Sequence, residues 1–337
     1  MKKRAEANPF RKIPTILYAD ELLDKAHNRA EKVASELRKT TRGQSLYKSR
    51  IIEEQKIRMA SSVVSEYLTN VVKKTPSIDS LDPFYRELLE ILIDTDDFKK
   101  SLGALNWASD FSKKLGSIYG RKVHKAPNAR YTSIVRKQFN GRLASVVKQI
   151  YPNLACIAVA REKLKNLPTV KDMPTVVIAG YPNVGKSTLL RKLTNAEPEI
   201  NAYPFTTKGL NVGYSEYGIQ FVDTPGVLDR PIYQRNDIEL HAVVALNYLA
   251  DLIVYVIDPT EYCGYTVEEQ IKLVNEVDKL FNVPTIVVIN KIDINGYENN
   301  VKLAEEKLSK FKLIKASTEN NINIDKIKKE IMNNMEL

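Results

Sequence analysis

Residues 175–188 read TVVIAGYPNVGKST, a short β-branched apolar run that leads directly into the pattern GxxxxGK[ST]. The apolar run predicts a buried strand, and the pattern LLRKLT that follows predicts a helix. A strand, a glycine-rich loop and a helix in this order are the context in which such a loop binds phosphate. The loop amides point at the anion, and the following helix directs its positive end to the same place. The predicted phosphate-binding loop consists of Gly180, Tyr181, Pro182, Asn183, Val184, Gly185, Lys186, Ser187 and Thr188.

Two residues of this loop carry specific expectations. Lys186 is expected to bridge the β- and γ-phosphates of a nucleotide, and the hydroxyl of Ser187 is expected to bind Mg²⁺. An alternative stays open at this point, in which the stretch is a glycine-rich turn with an incidental lysine. Motifs further along the chain must decide between the two.

A second motif, DTPG at residues 223–226, follows the apolar run IQFV and begins 36 residues after Ser187. An acidic residue at this place meets the same magnesium ion, so Asp223 is expected to hold the ion through water. The Gly226 amide is expected to sense the γ-phosphate and to couple its presence to the following loop. By itself, the tetrapeptide is also typical of an ordinary proline turn.

Between these two motifs lies YPFTTKG, residues 203–209, which contains two adjacent threonines. A nucleotide switch needs a threonine that closes onto Mg²⁺ and the γ-phosphate, and Thr207 is predicted for this role in preference to Thr206. The alternative is a surface loop in which the two threonines have no such role.

A third motif, NKID at residues 290–293, closes the apolar run TIVVI and decides which base is bound. The Asp293 carboxylate can accept hydrogen bonds from N1–H and the exocyclic N2 amine of guanine, a donor pair that adenine lacks on that edge. Asn290, Lys291 and Asp293 are therefore predicted to bind the base of GTP or GDP. A loop after the run FKLI is expected to back the base, although a lysine stands where a serine is usual. This loop consists of Lys315, Ala316 and Ser317.

Short apolar runs alternate with helical patterns beyond residue 174. The runs lie at 175–179, 219–222, 252–257 and 285–289, and helical patterns lie at 186–194, 236–249 and 267–281. This alternation predicts an α/β fold, a P-loop GTPase with a mostly parallel, doubly wound sheet. Residues 20–165 instead show helical apolar spacing, which predicts an all-helical N-terminal domain. Two prolines in residues 166–174 indicate the boundary, so the predicted domains are residues 1–168 and 169–337.

The net charge of +10 is divided unevenly along the 337 residues. Residues 1–170 contain 33 lysines and arginines against 18 acidic residues, a net +15, which leaves 18 against 23, a net −5, for residues 171–337. A basic half attracts a polyanion, either a nucleic acid or an acidic membrane surface. The alternative is a solvated basic helix surface without a partner. No run of about eighteen apolar residues occurs, so a cytoplasmic protein that does not associate with membranes is expected.

Two single residues are predicted to have no catalytic or binding role. The lone tryptophan, Trp107, lies in an amphipathic stretch and is predicted to belong to the core rather than to a base-stacking surface. His241 lies in the helical pattern after residue 236 and is predicted to be packed or solvated rather than a general base.

The motifs together resemble the nucleolar GTP-binding (NOG) family of the Obg–HflX superfamily. The segments GYPNVGKST and YPFTTKGLNVG are similar to the superfamily as a whole. Narrower matches lie in NPFRKIPTILYADELLDKA at 8–26, in LDRP at 228–231 with Arg235, Asn236 and Glu239, and in CGY at 263–265 with EQI at 269–271. The resemblance, closest to archaeal-type members, implies a switch that acts in assembly of the large ribosomal subunit. It implies the large subunit or its precursor and rRNA as partners, with rRNA bound through the basic half. The chain ends at Leu337, so the long C-terminal extension of eukaryotic members is expected to be absent.

The expected hydrolysis is slow because of the residue that follows the DTPG motif. Val227 stands where Ras-like proteins place the glutamine that orients the attacking water, and valine can neither donate nor accept a hydrogen bond. The resemblance implies that K⁺ held near Asn183, or a group from the ribosome, replaces the glutamine. Asn183 has an alternative role as a turn residue that tolerates unusual backbone angles.

Other functions stay open on the sequence alone. One is a nucleotide-state sensor that binds a protein partner, with incidental hydrolysis. Another is a tRNA-related GTPase, whose modifying relatives would need cofactor-binding residues that this sequence does not show. The chain is expected to be monomeric when it is not on the ribosome.

Overall fold

The computed structural model describes residues 8–169, 173–194, 199–201, 209–231, 234–235 and 237–335, with the backbone alone at 199–201 and 237–238. The helices in this part of the chain are α1 (Ala19–Thr40), α2 (Ser45–Lys74), α3 (Pro83–Leu92), α4 (Thr95–His124), α5 (Ala129–Gln149), α6 (Tyr151–Leu164), α7 (Lys186–Leu193), α8 (Asp237–Leu249), α9 (Val267–Leu280), α10 (Glu298–Lys307) and α11 (Ile324–Asn334). The strands are β1 (Thr175–Ala179), β2 (Glu199–Asn201), β3 (Leu210–Tyr214), β4 (Gln220–Asp223), β5 (Leu252–Ile257), β6 (Thr285–Ile289) and β7 (Lys312–Lys315).

Contacts divide the chain into two compact units. Residues 9–77 and 93–165 form the first, which we call the helical unit. Residue 8, residues 78–92 and the described residues from 166 onward form the second, which we call the sheet unit.

The helical unit contains α1, α2, α4, α5 and α6 around an apolar core. On α2, the buried side chains Ile57, Val64, Leu68 and Val71 are spaced by seven, four and three residues, so they share one face of the helix. On α5, the side chains of Leu143, Val146 and Val147 are buried in the same way. The prediction of an all-helical N-terminal domain is confirmed.

Helices α2 and α4 approach each other over a row of serines and a glycine. Ser61 Oγ donates to the carbonyl of Ser112 at 2.8 Å, and Ser109 Oγ donates to the carbonyl of Ser65 at 2.9 Å. A Cβ on Gly116 would lie 2.4 Å from Ser61 Oγ, well inside van der Waals contact. The absence of a side chain at Gly116 therefore sets how closely the two long helices pack.

The prediction that Trp107 belongs to the core is wrong. Its side chain is 45% exposed and stacks on Phe111, with ring centroids 5.4 Å apart and an interplanar angle of 12°. The buried face of α4 runs through Leu105, Ala108 and Ser112, and Trp107 lies outside that face. The apolar spacing of the stretch did not distinguish the two sides of the helix.

The described part of the sheet unit contains a seven-stranded sheet in the order β2-β3-β4-β1-β5-β6-β7. Strands β4, β1, β5, β6 and β7 run parallel, and β2 and β3 add an antiparallel edge. Every residue of β1 and β5 is buried, as expected for strands covered on both faces. The predicted P-loop GTPase fold is confirmed, and the carboxyl ends of its parallel strands meet at one edge, where ligands bind in such folds.

Helix α3 comes early in the sequence but packs within the sheet unit. Its apolar side chains Phe84, Tyr85, Leu88 and Leu89 are buried. The Tyr85 hydroxyl donates to the carbonyl of Pro168 at 2.8 Å, and Glu87 Oε2 lies 3.4 Å from His241 Nδ1 on α8. The two contact-based units therefore alternate along the sequence instead of meeting at one boundary. The domain boundary between residues 168 and 169 stays a prediction.

In the part of the chain that the structure describes, no single helix is long and apolar enough to cross a membrane. The pair α5 and α6, bent by 46° at the break between them, reaches the required length and composition together.

The close approach at Gly116 predicts opposite effects for two glycine substitutions in α4. Gly103→Ala should stabilise the protein by about 0.5–1 kcal/mol, because a Cβ there has nothing within 4 Å and alanine favours the helix. Gly116→Ala should destabilise it by about 1–3 kcal/mol, because the methyl group overpacks against Ser61. Urea unfolding of both variants measures the difference, and equal stabilisation by the two would contradict the close packing of α2 and α4.

Candidate nucleotide-binding site

The phosphate loop begins at the carboxyl end of β1 and ends where α7 begins at Lys186. Its backbone is left-handed at Gly180 (φ 138°), Asn183 (φ 61°) and Gly185 (φ 107°). A Cβ would lie 2.4 Å from the carbonyl oxygen of Val256 at Gly180 and 2.3 Å from Nδ2 of Asn290 at Gly185. Both positions therefore require glycine, for backbone conformation and for space.

Lys186 folds back onto the loop that precedes it. Only 7% of the residue is exposed, and its ammonium donates to the carbonyl oxygen of Tyr181 at 2.7 Å. This contact holds a positive charge over the curved loop at the start of α7. A bound anion would therefore meet the lysine, the loop amides and the helix N-terminus together.

Ser187, in the first turn of α7, meets Asp223, the last residue of β4. Ser187 Oγ donates to Asp223 Oδ2 at 2.6 Å, and Asn211 Nδ2 on β3 donates to the same oxygen at 3.0 Å. The other carboxylate oxygen, Oδ1, is buried and has no hydrogen-bond partner among the described residues. A buried carboxylate oxygen beside a serine hydroxyl fits a hard divalent cation such as Mg²⁺. Thr207, the third predicted magnesium residue, lies outside the described residues.

The DTPG turn is held against β1 and leads into the LDRP segment. Thr224 Oγ1 donates to the carbonyl oxygen of Ile178 at 3.1 Å, and the Gly226 amide donates to Asp229 Oδ2 at 2.8 Å. Val227 is 2% exposed and presents no polar side-chain atom to the site. Among the described residues, the turn therefore ends in a backbone amide held by Asp229 and a buried apolar side chain.

The LDRP segment forms its own network of charges. Arg230 pairs with Glu239 at 2.5 Å, and Arg235 donates to the carbonyl oxygen of Arg230 at 2.9 Å. Burial lowers the pKa of Arg235, while the nearby carboxylate of Asp229 acts in the opposite direction. Asn236, the other residue of this sequence match, lies outside the described residues.

The amide of Asn290 ties the base loop to two other loops. This residue is 1% exposed, and its Nδ2 donates to the Val184 carbonyl at 2.8 Å and to Thr318 Oγ1 at 3.1 Å. Its Oδ1 accepts from the backbone amide of Thr318 at 3.0 Å. The NKID motif is thereby fixed to the phosphate loop and to the loop after β7.

Asp293 is exposed beside this buried amide, and Asn320 Nδ2 donates to its Oδ2 at 3.1 Å. In the loop after β7, the residues that contact the NKID side chains are Thr318 and Asn320, which follow the predicted residues 315–317 in sequence. The ammonium of Lys315 pairs with Glu305 at 2.8 Å and is not brought to Asn290 or Asp293. Ala316 exchanges backbone hydrogen bonds with Ile289 and Ile292.

Sequence reasoning missed Thr318 and Asn320. Ser317, which was predicted, accepts at its Oγ from the Asn320 amide at 3.1 Å. The register of this loop depends on two left-handed asparagines, Asn321 (φ 58°) and Asn323 (φ 60°). Asparagine is among the few residues that adopt a left-handed backbone conformation readily. The run NNIN at residues 320–323 was therefore the sequence signal for this loop.

The sheet order and these motifs are those of a P-loop GTPase, and in the sequence this domain follows a helical N-terminal domain. Residues 10–171 match the family model for the NOG1 N-terminal helical domain, and residues 237–293 match the model for Nucleolar GTP-binding protein 1 (NOG1). The chain belongs to the NOG1 family.

Relatives of this chain cover most of its length. An uncharacterized protein of Methanocaldococcus jannaschii is 58% identical over 289 residues, which are 86% of this chain and 82% of that protein. Nucleolar GTP-binding protein 1 of Drosophila melanogaster is 33% identical, and that of Saccharomyces cerevisiae is 32% identical, each over 290 residues. The match covers 85% of this chain but 44% of each of those two proteins, so this chain spans less than half of their length.

A solved structure assigned to nucleolar GTP-binding protein 1 of Plasmodium falciparum is 29% identical to this chain. It superposes with a TM-score of 0.45 and covers 50% of this chain and 90% of that one.

Proposed function

We propose that this chain binds GTP and GDP together with Mg²⁺ and hydrolyses GTP slowly as a molecular switch. The observation that carries this proposal is the buried Asn290 amide, which bonds to the phosphate loop and to Thr318 beside the exposed Asp293. One ligand can then meet an anion-binding loop and a guanine-reading carboxylate together. The relatives named as GTP-binding proteins support the same function.

Each part of the ligand has its proposed residues. The amides of residues 180–188 would bind the phosphates, and Lys186 would exchange the Tyr181 carbonyl for oxygens of the β- and γ-phosphates. Asp293 would accept from the guanine edge, with Lys291 against the base and Asn290 holding the loop. The loop that backs the base is proposed to comprise Lys315, Ala316, Ser317, Thr318 and Asn320.

Ser187 and Asp223 would hold the metal, with Thr207 proposed as the residue that closes onto it. The bound ion would neutralise charge that develops on the β- and γ-phosphates. The free Oδ1 of Asp223 supports this assignment, because a buried carboxylate oxygen without a donor otherwise costs free energy.

Hydrolysis is proposed to rest on Lys186, Thr207, the Gly226 amide and Asn183. The Gly226 amide would leave Asp229 and donate to the γ-phosphate, and this exchange would couple nucleotide state to the LDRP segment. Because Val227 cannot orient water, K⁺ near Asn183 or a group of the ribosome is proposed to help.

The cellular role that we propose is assembly of the large ribosomal subunit in the cytoplasm, by a chain that is monomeric off the ribosome. The partner would be the large subunit or its precursor, with rRNA bound by the basic half. The net +15 of residues 1–170 supports a polyanionic partner. The exposed Trp107–Phe111 pair supports RNA in particular, since unpaired bases stack on such rings.

The role of Asp293 predicts a change of base preference. Asp293→Asn should weaken GTP binding and shift preference toward xanthosine triphosphate, because the variant presents a donor where guanine needs an acceptor. Asp278→Asn is the matched control, since that carboxylate pairs with Lys310 on the surface. Competition binding with GTP, XTP and ATP measures the shift, and an unchanged preference for GTP in Asp293→Asn would refute the assignment.

The proposed potassium dependence predicts faster GTP hydrolysis in KCl than in NaCl at equal ionic strength. Asn183→Gly should remove most of the difference, because it deletes the amide and still tolerates the φ of 61°. Alanine would also strain the loop, so glycine is the cleaner replacement. The rate of phosphate release is measured in the two salts. Equal rates in the unsubstituted protein would refute the proposed role of K⁺ but would leave the proposed GTPase activity unaffected.

RNA binding by the basic half predicts a steep dependence of affinity on salt. For about five phosphate contacts, affinity should fall on the order of a hundredfold or more between about 50 and 200 mM salt. The paired reversal Lys125→Glu and Arg130→Glu, at exposed positions of the helical unit, should weaken binding and reduce the slope.

Lys326→Glu with Lys329→Glu, at exposed positions of α11, reverses the same number of charges in the sheet unit and should have little effect. Filter binding of structured rRNA fragments to the full chain separates the two pairs. Equal losses from both pairs would contradict binding through the basic half, and no RNA binding at low salt would favour a protein partner instead.

A further inference from the structure

A buried carboxylate in the sheet unit binds the lysine of the NKID motif. Asp258 follows β5 and is fully buried, and its Oδ2 accepts from the ammonium of Lys291 at 2.5 Å and from the Cys263 amide at 3.2 Å. Its Oδ1 accepts from the amide of Thr260 at 3.0 Å and from the Thr260 hydroxyl at 2.5 Å. Both oxygens are thus fully used, and a buried carboxylate needs such partners to be tolerated.

The pairing fixes a side chain that is otherwise mobile. Lysine has a long, flexible stem and loses much rotamer freedom when it is ordered. Lys291 lies between Asn290, which is buried, and Asp293, which is exposed, and 24% of its side chain reaches solvent. Asp258 therefore orders the Lys291 side chain beside the proposed base site before any nucleotide arrives.

Asp258 belongs to a segment that is itself rigidly held. Gln270 on α9 is fully buried, and its Oε1 accepts from the Asp258 amide at 2.7 Å. Its Nε2 donates to the carbonyl oxygen of Asp258 at 2.9 Å and to that of Tyr265 at 3.0 Å. The Tyr265 ring stacks on Tyr181 of the phosphate loop, with centroids 3.9 Å apart. We call residues 258–266 the bridging segment, because it contacts both the phosphate loop and the NKID motif.

We propose that Asp258 is a positioning residue for the nucleoside part of the ligand, acting through Lys291. This inference rests on the proposed function. With the ammonium held by Asp258, the stem of Lys291 lies ready against the base and sugar, and less conformational entropy is lost on binding. The pair is neutral as a whole, so it acts on the nucleoside rather than on the phosphates.

The substitution Asp258→Asn tests this role in the full chain. It keeps the shape of the side chain and removes the charge that holds Lys291. GTP and GDP should each bind roughly three- to tenfold more weakly, the effect of one long side chain left to be ordered on binding. Affinity for inorganic pyrophosphate, which reaches only the phosphate loop, should not change, and neither should the preference for GTP over ATP. Calorimetric titration gives all of these affinities.

Two further variants separate positioning from general loss of structure. Asp258→Asn combined with Lys291→Met removes both charges and should bind GTP no more weakly than Lys291→Met alone, because Asp258 acts only through the lysine. Thr260→Val deletes another hydrogen bond to the same carboxylate but leaves the ion pair with Lys291, so it should lower the unfolding midpoint and weaken GTP binding less than Asp258→Asn does.

The outcomes are distinct. Weaker binding of pyrophosphate in proportion to GTP, additive losses in the double variant, or unchanged GTP and GDP affinities in Asp258→Asn would each overturn the positioning role. If the unsubstituted chain bound no guanine nucleotide, the proposed function itself would fail instead. If Asp258→Asn does not fold, Lys291→Met still tests the role: unchanged GTP affinity in that variant, or an equal loss of pyrophosphate binding, would overturn it.

Discussion

The side-chain amide of Asn290 lies between three loops that follow three different strands, and each loop depends on it. Its hydrogen bonds reach the Val184 carbonyl of the phosphate loop and both the amide and hydroxyl of Thr318. Because the amide is buried, these bonds cannot be replaced by water, and breaking one would leave a polar group unsatisfied. The same amide explains Gly185, since any side chain there would occupy the space of Asn290 Nδ2.

The sheet order makes this meeting of loops possible. Strand β1 lies between β4 and β5, so its phosphate loop has the DTPG turn on one side and the bridging segment on the other. On the first side, Ser187 meets Asp223 in a cluster that fits a divalent cation. On the second side, Tyr181 stacks on Tyr265, and the bridging segment carries the buried Asp258 to Lys291. The residues proposed to bind phosphate, metal and base are thereby held by the two neighbours of one strand.

The sequence predicted the sheet, the motif loops and the family, because short apolar runs and motif spacing are local signals. It did not predict which helices pack together, and α3, which lies between two helices of the helical unit in sequence, groups by contacts with the sheet unit. Trp107 was misassigned because an amphipathic pattern does not say how much of each side is covered. The contacts of Thr318 with Asn290 and of Asp258 with Lys291 join residues 28 and 33 positions apart in sequence, which no local pattern reveals.

We propose that the loops joined by Asn290 form one site for a guanine nucleotide. Calorimetric titration of the full chain with GTP and with ATP, each in excess Mg²⁺, tests it most directly. We expect a single saturable GTP site and ATP binding that is weaker by at least about a hundredfold, because Asp293 would be left without its two donors. Equal affinities for the two nucleotides, or no binding of GTP, would show that these loops do not form a guanine nucleotide site.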